Sequence, residues 1–595
     1  MQGAQKLRNE SYTEVRRLTK LAAQRSRWTF FNSLTESKTM ELINQHTKKI
    51  MEGCKERARE AGLRFQDETL EYIVTNKDLL ELGPKNMIPT LYDYWVHDVE
   101  VLKEKGKYEL YPYNPYETVI NTKPAISFYN DNNPDWLNVM IFYHVLAHID
   151  FFQNNLLFKS TWDEDFAGQA LADKRSIAMI RSEKGRWVDY IIEFTRGIDN
   201  LVDLFGDLSR LNRPMEIQSS SRIDYYFDVF LQSLQKVSPS IYMKEIERHN
   251  AAVAEYGPMA ESVFFADTAK KYPEFEALYE KQKREQKAPV TDIIQYLQDN
   301  APFLQRSENL WMKTVMEIVR RTSLYFQPQI RTKILNEGWA SYWHDTLFRN
   351  DDRIKGNEVS YAVVNAKVTA LSRLGLNPYA LGMRLYAYLE EAADKGRVSY
   401  EFQRTKNIDE RRDFDRRTGN GRAFIFDVRE NFSDFKFINT FVDQDFVDAY
   451  KLFVVGRKLN QQKGVWEYYV KSRKAGDYKK MLLDSLYHPP AVTVDEERTV
   501  NGTLYLYHHY EGKPLVREYI DHTLLGVEYL WGGKVQLETT EMVEEEMGEE
   551  TTQPFYIPQI IFTEPAAEKE LVPRRVVYTM ENKKLSKSMK SMLSR

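Results

Sequence analysis

Apolar positions recur at three- and four-residue intervals over long stretches of the chain, a spacing that lines one face of a helix. From Ser33 the pattern runs through Met40, Leu42, Ile43 and Ile50 to Ala61, and Gly62 supplies a C-terminal stop. Trp136–Phe158 is the most apolar run, launched by the loop Asn130–Pro134. Further helical periods cover 187–205, 225–237 and 311–325. Pro328 precedes a helix over about 330–348, and Asn377-Pro378 opens one over 379–393. Gly83-Pro84 and Pro89 break the stretch 80–94, while 108–113 and 118–120 read as extended. Beyond residue 395, β-formers cluster at Phe424–Val428, Thr503–Tyr507 and Val535–Leu537, around a helical pattern at 514–531.

These periods predict a mainly α protein: a flexible arm at 1–29, a large helical domain at 30–394 and a smaller α+β domain at 395–540. A charged tail follows at 541–595, acidic through Glu550 and basic from Lys583, and reads as weakly ordered, solvated segments. A chain of 595 residues is too long for one core, and its 42% apolar content is enough to fill several. With only 26 Gly and 21 Pro, long helices are favoured over a turn-rich β fold.

Charge and cysteine content remove whole function classes. The 83 basic and 87 acidic residues give a net charge of −4, against the basic balance of a general nucleic-acid binder. A single cysteine, Cys54, excludes a disulfide framework and a Cys-rich zinc site. No apolar leader follows Met1, and Gly3 is one place too late for myristoylation. The Trp136–Phe158 run carries two His, an Asp, a Gln and three Asn, which a bilayer span rarely bears.

Within that run, His144 and His148 stand four apart, on one helical face and ~6 Å apart along the axis. The spacing lets two imidazoles share one ion, as in the zinc motif H-E-x-x-H, but Val145 occupies the glutamate position. Two core histidines with hydrogen-bond partners are the alternative. Asp150 lies about 200° around the helix from His148. In the second segment, Asn336–Asp345, a carboxylate inside an aromatic helix needs a partner. Glu337 and His344 share a face ~10 Å apart along the axis, so His344 works one shell out from Glu337 or a second ion is present. Gly338 beside Glu337 marks a close approach. Two His on one helix and a distant Glu reproduce the His₂Glu set of catalytic zinc sites. The metal ligands expected are therefore His144, His148 and Glu337, with Zn²⁺ the ion, and Glu337, His344 and Asp150 are the candidate catalytic groups.

The same residues carry a family resemblance. Asn336-Glu337-Gly338-Trp339-Ala340-Ser341-Tyr342-Trp343-His344 resembles the signature of the SpoVR (stage V sporulation protein R) family, and His148-Ile149-Asp150-Phe151-Phe152-Gln153-Asn154-Asn155 resembles its H-x-x-F-F-x-N-N segment. Tyr116–Asn121, Asn300–Leu304 and Asn377–Gly382 match more weakly, and the likeness runs from about 35 to 540. The family pattern carries a histidine five residues before the position of His148; here Tyr143 stands there, with His144 one residue later. The segment Glu337-Gly338-Trp339-Ala340 is also similar to the glutamate helix of some zinc peptidases, so a zincin-like helical domain is expected. The resemblance implies a bacterial, cytoplasmic protein linked to spore cortex, a peptidoglycan layer. Three functions compete: a zinc-dependent amide hydrolase acting on a peptidoglycan-related substrate, a non-catalytic regulator or scaffold in sporulation or stress, and, last, a nucleic-acid binder.

Overall fold

Burial explains which periods become elements. The computed structural model describes residues 41–66, 68–76, 78–79, 102–103, 105–109, 117–162, 166–205, 221–285, 290–371, 375–460, 464–487, 489–511, 513–546 and 569–589. The expected arm at 1–29 and turn-broken stretch at 80–94 lie outside these, as do 110–113; Tyr108 and Glu109 are helical rather than extended.

Strand β1 (Glu41–Leu42) precedes helix α1 (Gln45–Glu60), whose first turn is capped by Asn44 Oδ1 accepting from Thr47 N at 2.9 Å. Gly62 ends it at a φ of +102°, as its position in the sequence requires. With β2 (Thr69–Val74), β3 (Glu117–Ile120) and β4 (Ala125–Asn130), β1 forms a sheet of order β1-β2-β4-β3, in which β2 and β4 are parallel and β3 is antiparallel to β4.

Helix α2 (Asp135–Asn154) is buried on every side from Leu137 to Phe152, so it is a core helix and not an amphipathic surface one. Around it and in the second half of the chain come α3 (Trp187–Arg196), α4 (Leu310–Arg331), α5 (Lys333–Phe348), α6 (Glu358–Val368), α7 (Pro378–Asp394), α8 (Gly421–Asn431) and α9 (Asp434–Phe441). Helix α5 packs on α2 and on α7. At the second contact, a Cβ on Gly338 would meet Gly382 Cα at 2.4 Å, and one on Gly382 would meet Ile334 O at 2.2 Å. Only two facing glycines allow that approach, and it fixes Glu337 beside the crossing.

The predicted strand at Phe424–Val428 is instead part of α8. Gly421, Ile425, Val428 and Arg429 are its buried residues, a helical spacing, so packing on α7 overrides the β-preference of Phe and Ile. Strands β5 (Val454–Asn460) and β6 (Val465–Ser472) make a separate two-stranded ribbon, followed by helix α10 (Ala475–Ser485). Beyond it, β7 (Ala491–Val494), β8 (Leu504–His509), α11 (Arg517–Trp531), β9 (Val535–Glu546), β10 (Lys569–Glu581) and β11 (Lys584–Met589) build a sheet of order β11-β10-β9-β8-β7, with α11 joining parallel β8 and β9.

The cores cross the boundary predicted near 395. One runs from Ile43 through α2, α5 and α7 to Leu482; a second joins α3, α4 and Ile293–Leu304 to the C-terminal sheet. The composition change near 395 precedes the second group of strands, β5 to β11, and one core runs past it. Part of the segment read as a charged tail is sheet: Glu541 on β9 accepts from Tyr578 on β10 and Lys587 on β11, so its charge is paired across strands. No helix among the described residues is long and apolar enough to cross a membrane.

Candidate metal centre

Helices α2 and α5 bring together residues that lie nearly two hundred positions apart in the chain. His144 and His148 project from α2 with their Nε2 atoms 3.1 Å apart. Glu337 Oε2 from α5 lies 3.5 Å from His148 Nε2 and 3.9 Å from His144 Nε2. These three form the one group of potential ligands that converges in this way among the described residues.

The hydrogen bonds behind them set the tautomers. Asn365 Nδ2 donates to Asp345 Oδ1 at 3.0 Å, which leaves Asn365 Oδ1 to accept from His344 Nε2 at 3.0 Å. His344 Nδ1 then accepts from His144 Nδ1 at 2.9 Å, so His144 Nε2 carries no proton. His148 Nδ1 donates to Asn336 Oδ1 at 2.8 Å, which turns its Nε2 toward Glu337. Two imidazole Nε2 atoms and a carboxylate oxygen therefore face one another. Glu337 Oε2 is buried and has no hydrogen-bond partner. Such a cluster repels itself unless a cation sits within it.

Its dimensions suit one. Tetrahedral zinc with bonds of ~2.0–2.1 Å separates its ligand atoms by about 3.3 Å, and the three distances bracket that value. Burial, reinforced by His148 and His344, holds the His144 pKa well below its usual range, and burial brings His344 down to about 4. Both rings are thus neutral at physiological pH, the form that coordinates metals. Burial raises Glu337, against the pull of His148, Lys333 and a hydrogen bond from Tyr379.

Of the three residues, His144 reaches a cavity whose lining includes neither His148 nor Glu337. It measures about 400 Å³, also reaches His344 and is walled by Glu117 from β3 and by Asn377, Pro378 and Tyr379 at the start of α7. The Tyr379 ring stacks on His144 with centroids 6.0 Å apart. Burial, aided by the Glu337 charge, pushes the Glu117 carboxyl up to about 7.

The other predicted candidates lie apart. Asp150 accepts from Arg64 N at 2.7 Å and Trp339 Nε1 at 2.9 Å and pairs with Arg429 Nε at 3.3 Å, so both its oxygens are engaged in bracing helices. His344 touches the centre through His144, one shell out. Tyr143, at the departure from the family pattern, donates to Asp351 Oδ2 at 2.6 Å in a network with Arg353 and Cys54. Burial pushes the Cys54 thiol up to about 12, which makes it inert. Asp434 accepts from Ile334 N and Leu335 N, both at 2.9 Å, and so anchors the first turn of α5 one helical turn before Glu337. Sequence reasoning assigned no role to Glu117, Asn336, Asn365 or Tyr379. Three of them stand in the motifs quoted above, whereas nothing near Asn365 signals its part.

Comparison with known proteins gives a family and one relative. The family described as SpoVR like protein matches residues 38–487. Over 332 residues the chain is 24% identical to the uncharacterised protein YcgB of Escherichia coli strain K12, covering 53% of this chain and 58% of that one. The matched part thus spans less than two thirds of that relative's length. No solved structure matches.

Proposed function

We propose, for a chain that belongs to the SpoVR family, a zinc-dependent hydrolase of amide bonds, with His144, His148 and Glu337 as ligands. The observation that carries this reading is the convergence of two imidazole Nε2 atoms and an unpartnered carboxylate oxygen, beside a cavity that reaches His144. A closed fourth position would favour a structural ion, and an open one favours catalysis. The His₂Glu set from two core helices, under a mixed sheet whose edge strand lines the cavity, also supports the zincin-like comparison.

Zinc held there supplies Lewis acidity, bringing the pKa of a water towards ~7 and polarising a carbonyl. Glu117 takes the part that Val145 leaves unfilled. Its carboxyl stands on the cavity wall, raised by burial and the Glu337 charge in the metal-free protein, and is placed to accept a proton from water and return it to a leaving amine. Tyr379 holds the Glu337 carboxylate and lids His144 with its ring. His344 keeps the His144 Nε2 bare, and Asn336 turns that of His148 toward Glu337. The family resemblance supports a bacterial cytoplasmic setting and a peptidoglycan-related amide linked to spore cortex.

The test is metal content by mass spectrometry on protein purified without a metal-affinity column. Wild type is expected to hold about one zinc per chain, and His148→Ala and Glu337→Ala close to none. A wild type that stays metal-free after reconstitution would turn the cluster into a hydrogen-bond network and leave the scaffold role standing.

A further inference from the structure

The C-terminal sheet carries a cavity of its own. Strands β8 and β9 run parallel, with α11 as the crossover between them. In open sheets built from such units, ligands bind outside the carboxyl ends of the strands. At that end of β8, between the sheet, α11 and the chain just after α3, lies a cavity of about 430 Å³. This is within the ~300–1,000 Å³ of small-molecule sites. Its wall is aliphatic: Ile198, Leu506, Ile520, Leu524, Val527 and Leu537 line it. Most of the lining lies beyond residue 487, where the family match ends.

Two polar features converge on this space. His508, near the end of β8, is 2% exposed and lines the cavity. Its Nδ1 bonds to Thr539 Oγ1 on β9 at 2.8 Å, and its Nε2 has no partner among the described residues. A buried ring nitrogen left free beside a cavity is satisfied only by something within it. Burial, with Arg575 and His509, brings the His508 pKa down to about 4, so the ring is a neutral hydrogen-bonding group and not a charge. The second feature is the N-terminus of α11. Val516 stands at the N-cap and supplies no side-chain cap, which leaves the positive end of a 15-residue helix uncapped. Val516 and Tyr519 at that end line the same cavity. Lys513 lies on the lining too, with Glu511 the single acid among the lining residues.

We propose that this cavity binds an amphipathic anion, a carboxylate or phosphate monoester on an apolar body. The body fills the space between α11 and the sheet. The head accepts from the first-turn N–H groups of α11 and from Lys513. It also accepts from His508 Nε2, in the tautomer where the Thr539 hydroxyl donates to Nδ1. A neutral amphiphile leaves the helix end uncompensated, and a cation meets it with like charge.

Calorimetry on the full chain tests this with sub-micellar hexanoate, octanoate and decanoate, with decyl phosphate, and with 1-decanol and decyltrimethylammonium. Decanoate and decyl phosphate are expected to bind, the tighter of the two naming the head group. Affinity should rise about fourfold per methylene from hexanoate to decanoate. 1-Decanol should bind about tenfold more weakly than decanoate, and the cation not at all. Thr523→Trp, at a half-buried position on the cavity wall, should lower decanoate affinity roughly tenfold or more. His508→Phe keeps a ring and removes Nε2, and Lys513→Ala changes an exposed residue. Each should narrow the preference for decanoate over 1-decanol to about threefold. Circular dichroism checks the folding of every variant. A wild type that binds neither anion, binds 1-decanol or the cation as tightly as decanoate, or shows no dependence on chain length overturns the proposal. So does unchanged affinity in folded Thr523→Trp, or an unchanged preference in both His508→Phe and Lys513→Ala. Chelator should leave all these values as they are, because none of His144, His148 and Glu337 lines this cavity. Binding lost in chelator would place the anion on the metal and overturn the proposal as well.

Discussion

Two buried acidic clusters join the same pair of helices, and they are built in opposite ways. Around Asp150 every oxygen meets a donor: Arg64 N, Trp339 Nε1 and the guanidinium of Arg429. Around Glu337, two residues before Trp339 on α5, Oε2 has none and faces the Nε2 atoms of His144 and His148. The first cluster satisfies both carboxylate oxygens from the chain itself, although Arg429 Nε and Nη1 find no hydrogen-bond acceptor there. The second is complete only with something positive added. A buried acid reports structure when its charge is balanced by the chain, and reports function when it is not.

The largest consequence is in stability. Asp150→Ala leaves Arg429 buried and unpaired, which should remove roughly 3–5 kcal/mol in denaturant unfolding. Glu337→Gln removes a buried charge that Lys333 and Tyr379 offset only in part, since burial still raises its pKa, and in the presence of a chelator it should unfold at the same or higher denaturant concentration than wild type. If both variants lost stability alike, the contrast between the clusters would collapse.

Next comes the crossing that sets the distance between them. Gly338→Ala puts a methyl 2.4 Å from Gly382 Cα, and both neighbours are backbone, so neither helix can yield locally. Overpacking of this kind costs about 1–3 kcal/mol. Because Glu337 is the adjacent residue, zinc affinity should fall as well. A variant as stable as wild type with full affinity would show that the close approach positions nothing.

The sequence made some of this legible and hid the rest for physical reasons. The i, i+4 spacing of His144 and His148 and the buried-helix composition of 136–158 are local properties, and the chain forms helix α2 there. The glycine beside Glu337 announced the α5–α7 contact because only backbone can come so close. Glu117 escaped notice as a site residue because strand β3 reaches the cavity through sheet pairing, which leaves no periodic trace. Asn365 was invisible for a similar reason: α6 folds back on α5, and its one polar contact with His344 is a tertiary event. Phe424–Val428 misled because β-preference is weak beside a well-packed helical face. The charged stretch 541–546 misled because its partners lie about forty residues on, in β10 and β11.

The relay behind His144 sharpens the comparison at smaller scale. His344→Ala removes the acceptor that keeps His144 Nδ1 protonated and Nε2 bare. Zinc affinity, measured by competition with a chromophoric chelator, should weaken 10–100-fold, roughly 1.4–2.7 kcal/mol. Asn365→Ala, one bond further out, should weaken it less and in the same direction. His344→Ala with unaltered affinity would remove His344 from the centre.

The last effect is the one that separates Glu117 from a structural acid. Its pKa in the folded, metal-free protein is about 7, raised by burial and by Glu337, against ~4.3 in an unfolded chain. The folded state therefore holds its proton more tightly than the unfolded state does. Its contribution favours folding at low pH and is lost as pH rises from about 4 to about 7. His344, lowered to about 4, acts in the opposite sense, since the unfolded ring takes up a proton below about 6.5. The two trends overlap, so wild-type stability alone cannot separate them. Glu117→Gln can, because it deletes only the carboxyl. In chelator, the variant should gain stability relative to wild type as pH increases from 5 to about 7, then hold that gain at higher pH. Parallel profiles for the two proteins would mean that Glu117 shares no proton equilibrium with the centre, and the acid–base role would have to pass to another group.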